Sequence, residues 1–195
     1  TRPNLLVVFA TDHGEGLSLP KSHGIGHGNF VYRSTVETGL MFHHPALATP
    51  GRRVSNLSMN IDVVPTVLDL LGAPADFHVD GQSQAAAVLG RNDPPPHDVI
   101  FSETFFRLEH LSTAFDGEHQ LIREYNEDAD PPTSADRLFE VRDFAAEHDL
   151  ATHRPEPLTR LAAALDEWEA KMAGLGAEIA REDAGVDAGT QAMLE

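Results

Sequence analysis

The chain has 195 residues, 41% of them hydrophobic, enough for one or two domains with a real core. Its formal net charge is −17 and lysine occurs only at Lys21 and Lys171, which argues against binding nucleic acid or an anionic membrane. Cysteine is absent, so disulfides and thiolate metal sites are excluded, and no apolar run reaches transmembrane length.

The acidic, lysine-poor composition also suits a high-salt environment, where screening removes self-repulsion, and a halophilic source is the expectation. The first element is the run Leu5-Leu6-Val7-Val8-Phe9-Ala10. It is apolar on both alternating sets of positions and reads as a strand buried on both faces of a parallel sheet. Such sheets bind ligands beyond the carboxyl ends of their strands. The run ends at Thr11-Asp12-His13-Gly14-Glu15. At a strand-to-loop turn the Asp12 carboxylate and the His13 imidazole can converge on one divalent cation, as half of a ligand set. Gly14 frees the backbone to turn away. The next stretch, His23-Gly24-Ile25-Gly26-His27-Gly28, adds two histidines in a glycine-rich loop. The competing reading is a solvated turn whose histidines do nothing.

Residues 30–39 form a short helix or an irregular segment, and Leu40-Met41-Phe42 a short buried strand ending at His43-His44-Pro45. The paired histidines read as solvent-facing rings, because nothing nearby supplies further ligands. From Asn60 to Leu71 apolar residues recur at helical spacing (Ile61, Val64, Val67, Leu68, Leu71), with Asn60 or Asp62 as cap and Gly72 and Pro74 as stop. This helix is expected to pack its apolar face on the parallel sheet. Gln84 to Leu89 is a short helix stopped by Gly90, and Asn92-Asp93-Pro94-Pro95-Pro96 is the best boundary between subdomains.

Beyond that boundary the pattern changes to clustered strands: Val99–Phe101, Leu111–Phe115, His119–Tyr125 and Arg137–Val141. Asp116-Gly117 between two of them is a hairpin signal. A helix follows from about Glu156 to Met172, with Leu158, Leu161, Leu165, Trp168 and Met172 as one core stripe. Gly174 and Gly176 are expected to end it. The expected organisation is therefore 1–96 as an α/β unit, 97–173 as an antiparallel sheet plus helix, and 174–195 as a mobile or weakly helical acidic tail.

Thr11-Asp12-His13-Gly14-Glu15, then His27-Gly28, Tyr32 and Pro45, resemble the sulfatase branch of the alkaline phosphatase superfamily. There a strand ends in Ser/Thr-Asp-His/Asn-Gly-Glu ahead of a His-Gly pair. Thr49-Pro50-Gly51 stands where that family has a strand ending near Pro-Gly. The segment from Asn60 to Gly72 is similar to its Asp-x-x-Pro-Thr-x-Leu-Asp-x-x-Gly helix, and Asp80-Gly81-Gln82-Ser83 to its Asp-Gly-x-Ser loop. Arg137-Leu138-Phe139-Glu140-Val141 with His148-Asp149-Leu150-Ala151 resembles its C-terminal Glu-Leu-Tyr-Asp-Leu … Asn-Leu-Ala. The resemblance runs from about Leu5 to about Trp168.

The resemblance implies an α/β fold: a sulfatase/alkaline-phosphatase-like parallel sheet portion followed by a small antiparallel α+β C-terminal subdomain. It implies metal-dependent hydrolysis of a small-molecule sulfate ester. The alternatives are a phosphate or phosphonate ester hydrolase of the same superfamily, or a non-catalytic remnant. Asp12 and His13 would be metal ligands. The ion is expected to be calcium, with manganese or zinc open because imidazole is a softer ligand than calcium favours. His27 would be the catalytic histidine that hydrogen-bonds the substrate's sulfuryl or phosphoryl oxygens. Lys21 is the only cation in the loop and a candidate for an anionic oxygen, but the family's lysine follows its histidine and Lys21 precedes His27. A solvated loop lysine is the simpler reading of Lys21, and a surface imidazole that of His23. One departure stands out. The family makes a formylglycine nucleophile from Cys/Ser-x-Pro-x-Arg and carries paired acidic ligands upstream. This chain has neither, so the expectation is a fragment whose N-terminal half is missing.

Overall fold

The computed structural model describes residues 4–17, 25–47, 51–91, 95–106 and 109–183. Their elements, in order, are β1 (Val7–Ala10), α1 (Arg33–Val36), β2 (Leu40–His43), a 3-10 turn (Asn60–Asp62), α2 (Val63–Leu71) and α3 (Ala85–Val88). Then come β3 (Ile100–Phe106), β4 (Glu109–Phe115), β5 (His119–Asn126), β6 (Thr133–Glu140) and α4 (Pro155–Asp183).

The second half of the chain carries the core. Strands β3-β4-β5-β6 form one four-stranded sheet in sequence order, antiparallel throughout. The β4–β5 hairpin turns at Gly117, whose φ of 93° supplies the left-handed residue that a tight hairpin needs. The Asp116 carboxylate accepts the backbone N–H groups of Glu118 and His119 and holds the turn. Side chains alternate across this sheet with period two. On one face Leu111, Ile122 and Phe139 pack with Val31 and Tyr32 from the first half of the chain. On the other, Ala114, Leu121 and Leu138 pack with Leu161 and Leu165 of α4. Full burial of each of these larger aliphatic side chains contributes about 1.5–3 kcal/mol. Phe101 and Trp168 stack with ring centroids 5.3 Å apart, extending the seam to β3.

A polar knot ties the same face to α4. Arg123 of β5 is buried and donates to Asp136 (2.8 and 3.0 Å) and to Asp166 (2.5 Å). The paired Asp136 carboxylate holds its guanidinium firmly in the charged form. Tyr125 donates its hydroxyl to Glu169, and burial together with that carboxylate pushes the phenol up to about 12.

The first half differs from the sequence expectation in its sheet and in the burial of its apolar faces. β1 and β2 form a two-stranded antiparallel ribbon, Val7 opposite His43 and Phe9 opposite Met41. A parallel sheet is not seen among the described residues. Nor is β1 buried on both faces. Leu6, Val8 and Phe42 are half-covered on one side, while Val7 (45% exposed), Phe9 (51%) and Met41 (61%) are bare on the other. The α2 stripe is partly bare too: Ile61, Val64 and Leu71 are exposed, Val67 and Leu68 are half-buried, and the buried residues are Pro65 and Thr66. Both elements form where their local pattern put them, but the apolar faces lack the covering layer that the pattern implied.

α4 also runs past its expected end. Gly174 and Gly176 lie within the helix, with open space around their Cα atoms, so neither is a cap. The expected tail from residue 174 is thus helical to Asp183, and residues 184–195 lie outside the described residues. So do Lys21 and His23, and part of the proline-rich boundary at 92–94.

Candidate metal and substrate site

The site is built where β1 ends. Pairing with the neighbouring strand continues past Ala10: Thr11 donates its N–H to the Gly39 carbonyl (3.0 Å) and accepts the Gly39 N–H on its hydroxyl (2.8 Å). The Asn60 amide reaches across from the turn before α2 and donates to the carbonyls of Asp12 (3.0 Å) and Thr11 (3.3 Å). This clamp fixes the backbone from which the Asp12 side chain projects. Asn60 is therefore a support of the strand end rather than a helix cap.

The helix start takes its order from Asp62 instead. Its fully buried carboxylate accepts the backbone N–H of Met59 and of Gln82, both at 2.8 Å, and meets His97 Nε2 at 2.9 Å. Gly81 makes the Gln82 contact reachable, since a Cβ there would lie 2.1 Å from the Ile61 carbonyl oxygen. Asp62 and His97 thus join the α2 start, the 80–82 loop and the approach to β3.

Gly14 turns the chain hard against α1. Its N–H donates to the Thr35 carbonyl (2.9 Å), and a Cβ would sit 2.3 Å from the Ser34 oxygen. That close approach holds His13 and Glu15 over the open side. Loop closure brings His27 back: Gly16 donates to the Gly26 carbonyl at 3.0 Å, and Gly26 and Gly28 carry φ of 131° and 84° on either side of His27. Thr104 of β3 donates its hydroxyl to the Gly28 carbonyl, so the four-stranded sheet anchors this loop.

Four side chains meet there. Asp12 is nearly fully exposed, and its Oδ1 accepts the His13 backbone N–H at 3.0 Å, which sets its rotamer. His13 Nδ1 lies 2.7 Å from the Gly14 carbonyl oxygen. That oxygen can only accept, so Nδ1 carries the proton and Nε2 keeps its lone pair. Nε2 lies 3.7 Å from Asp12 Oδ1. Two donors each about 2.0–2.4 Å from one ion fall at such a separation. The backbone carbonyl behind Nδ1 is the outer partner that a metal-ligating histidine ordinarily has. Asp12 and His13 therefore fit a divalent cation as two of its ligands. Among the described residues no group of three or more His, Asp or Glu side chains could hold an ion.

His27 stacks on His13, ring centroids 3.7 Å apart and planes at 21°. Its Nδ1 lies 3.0 Å from Glu15 Oε2, and this hydrogen bond holds the exposed Glu15 carboxyl below its usual range. Asp12 and His13 line a broad concavity that also takes in Phe9, Glu37, Met41 and Asn60. The structure thus gathers Asp12, His13 and His27, while Lys21 falls outside the described residues. Sequence reasoning missed Glu15 and Asn60 as partners. Glu15 contacts a residue 12 positions on, and Asn60 one 48 positions back, and neither separation leaves a periodic trace. The adjacent His43 and His44 make no comparable cluster: His44 Nε2 meets Asn4 Oδ1 at 3.3 Å.

No model of a protein family matches the chain. The steryl-sulfatase of Rattus norvegicus is 33% identical over 110 residues, half of this chain and 19% of that protein. The N-acetylglucosamine-6-O-sulfatase of Bacteroides thetaiotaomicron is 27% identical over 122 residues, 63% of this chain and 20% of that protein. Among solved structures, a protein in complex with its substrate D-glucosamine-2-N,6-O-disulfate superposes with a TM-score of 0.71 at 17% identity. It covers 84% of this chain and 34% of its own. The phosphonate monoester hydrolase of Silicibacter pomeroyi superposes with a TM-score of 0.67 at 22% identity, over 85% and 35% of the two chains. The chain spans about a fifth of the length of these curated relatives and about a third of these solved ones.

Proposed function

From a chain that is similar to sulfatases in sequence and in fold over part of their length, we propose a metal-dependent hydrolase of sulfate esters that is only partly contained here. The observation that carries this reading is the convergence of Asp12 Oδ1 and His13 Nε2 at the end of β1, beneath the stacked His27 ring. Asp12 and His13 would be two ligands of a divalent cation, calcium by the family's habit and manganese or zinc by the imidazole donor, which when bound would supply Lewis-acid polarisation of the ester's nonbridging oxygens. The protein does the rest by position. Asp12 and His13 hold fixed donor atoms, Asp12 through its own backbone lock and His13 through its Gly14 bond. His27 would present Nε2 to the reacting ester, where Nε2 has to carry a proton to donate to a sulfuryl oxygen.

The nucleophile lies elsewhere in this proposal. The sequence holds no cysteine and no Ser-x-Pro-x-Arg from which a formylglycine could be made. We place that group, and the remaining metal ligands, on an N-terminal half outside these residues. The exposed Val7, Phe9 and Met41 face and the partly uncovered α2 stripe support this. Lys21 stays a candidate for an anionic oxygen. The division into units at residues 96 and 97 is part of the same proposal.

The test is metal binding by calorimetry with Mn2+ and Ca2+. Weak binding that Asp12→Ala abolishes supports the site; binding indifferent to Asp12→Ala and His13→Ala overturns it. A second reading, hydrolysis of phosphate or phosphonate esters, is favoured by the likeness to phosphonate monoester hydrolases. Preference of the complete protein for an aryl phosphate over an aryl sulfate would select it.

A further inference from the structure

We infer that Glu15 is the positioning residue that decides which nitrogen of His27 faces the substrate. The inference rests on the reading of His27 as the imidazole that meets the ester. The geometry has three parts. Glu15 Oε2 lies 3.0 Å from His27 Nδ1, and a carboxylate can only accept from that nitrogen. The proton therefore resides on Nδ1, and Nε2, on the far edge of the ring, is the lone-pair atom left to accept a proton. The flat face of His27 lies on His13 at 3.7 Å, so one face of the ring is covered by its neighbour. The backbone is fixed on both sides: Glu15 follows Gly14, which is pressed against α1, and His27 precedes Gly28, which Thr104 anchors. A carboxylate that fixes the tautomer and bearing of a working imidazole is the arrangement that orients histidines in hydrolytic triads. Here it has the further effect of holding the His27 ring over the His13 imidazole.

The experiment is long-range 1H–15N correlation of the imidazoles in the 195-residue chain at one fixed, mildly alkaline pH. In the native protein the His27 proton should reside on Nδ1. Glu15→Ala should move it to Nε2, the usual preference of a free imidazole, and Glu15→Gln, whose amide oxygen still accepts, should retain it on Nδ1. Native His27 protonated on Nε2, or a tautomer unmoved by Glu15→Ala, overturns the inference. Mn2+ added to the same samples reads the wider proposal separately. Broadening of His13 that disappears in Asp12→Ala speaks for the metal site, and its absence counts against that site while leaving the Glu15 result standing. A Glu15→Ala protein that fails to fold would show collapse of all imidazole dispersion, and Glu15→Gln then decides: loss of the Nδ1 proton in that variant rejects a simple acceptor role.

Discussion

At the scale of single residues, the site depends on close backbone approach more than on its charged groups. Gly14 has no room for a side chain, because the Ser34 and Glu37 carbonyl oxygens occupy the volume. Gly14→Ala should therefore push the β1 end away from α1 and cost about 2 kcal/mol, in the range of overpacked positions. Urea unfolding checks this, as a lower midpoint with unchanged slope. An unchanged midpoint would mean that the contact is slack. Asp12, His13 and His27 were visible in the sequence because an apolar run ended in them and a glycine loop carried the third. Their partners were not. Glu15 looked like one more acid in a chain with 31 Asp and Glu residues, and only the returning loop makes it a partner of His27. Asn60 read as a helix cap because caps are local, whereas its observed role crosses to another strand.

At the scale of elements, what could be read from the sequence follows the reach of the forces involved. The β4–β5 hairpin was legible because Asp116-Gly117 and the flanking alternation are local. The α4 stripe was legible because helical spacing brings Leu161 and Leu165 to one face whatever lies opposite. The end of α4 was misjudged, since two glycines weaken a helix by about 1 kcal/mol each without being obliged to stop it. β1 and α2 show the converse: their apolar patterns record the burial for which the residues are suited, and the described residues do not provide it.

Tyr125 gives this scale a pH test. Its phenol is pushed from an ordinary 10.0 up to about 12 by burial and by the Glu169 carboxylate. The folded state then holds the proton more tightly than the unfolded chain. The associated stability is complete below about pH 10 and is lost as pH rises toward about 12. Unfolding free energies measured across pH 9–12 should fall more steeply for the native protein than for Tyr125→Phe. Parallel curves would show that the β5–α4 contact is too solvated to matter.

At the scale of the whole molecule the net charge of −17 dominates. Self-repulsion among exposed carboxylates opposes compaction, and salt relieves it as the screening length shrinks from about 10 Å at 0.1 M to about 3 Å at 1 M. The melting temperature should rise from low salt to molar KCl. A flat or falling value would remove the case for a halophilic origin.

The bare β1–β2 ribbon has its own consequence for handling. Val7, Phe9 and Met41 form a short oily strip beside strand edges whose amides face outward. As salt quiets the repulsion, that strip becomes sticky. Light scattering at rising protein concentration should report growing particles in molar KCl, and Phe9→Lys should keep the solution clear. Conditions that make each molecule sturdier would thus make a crowd of them less soluble.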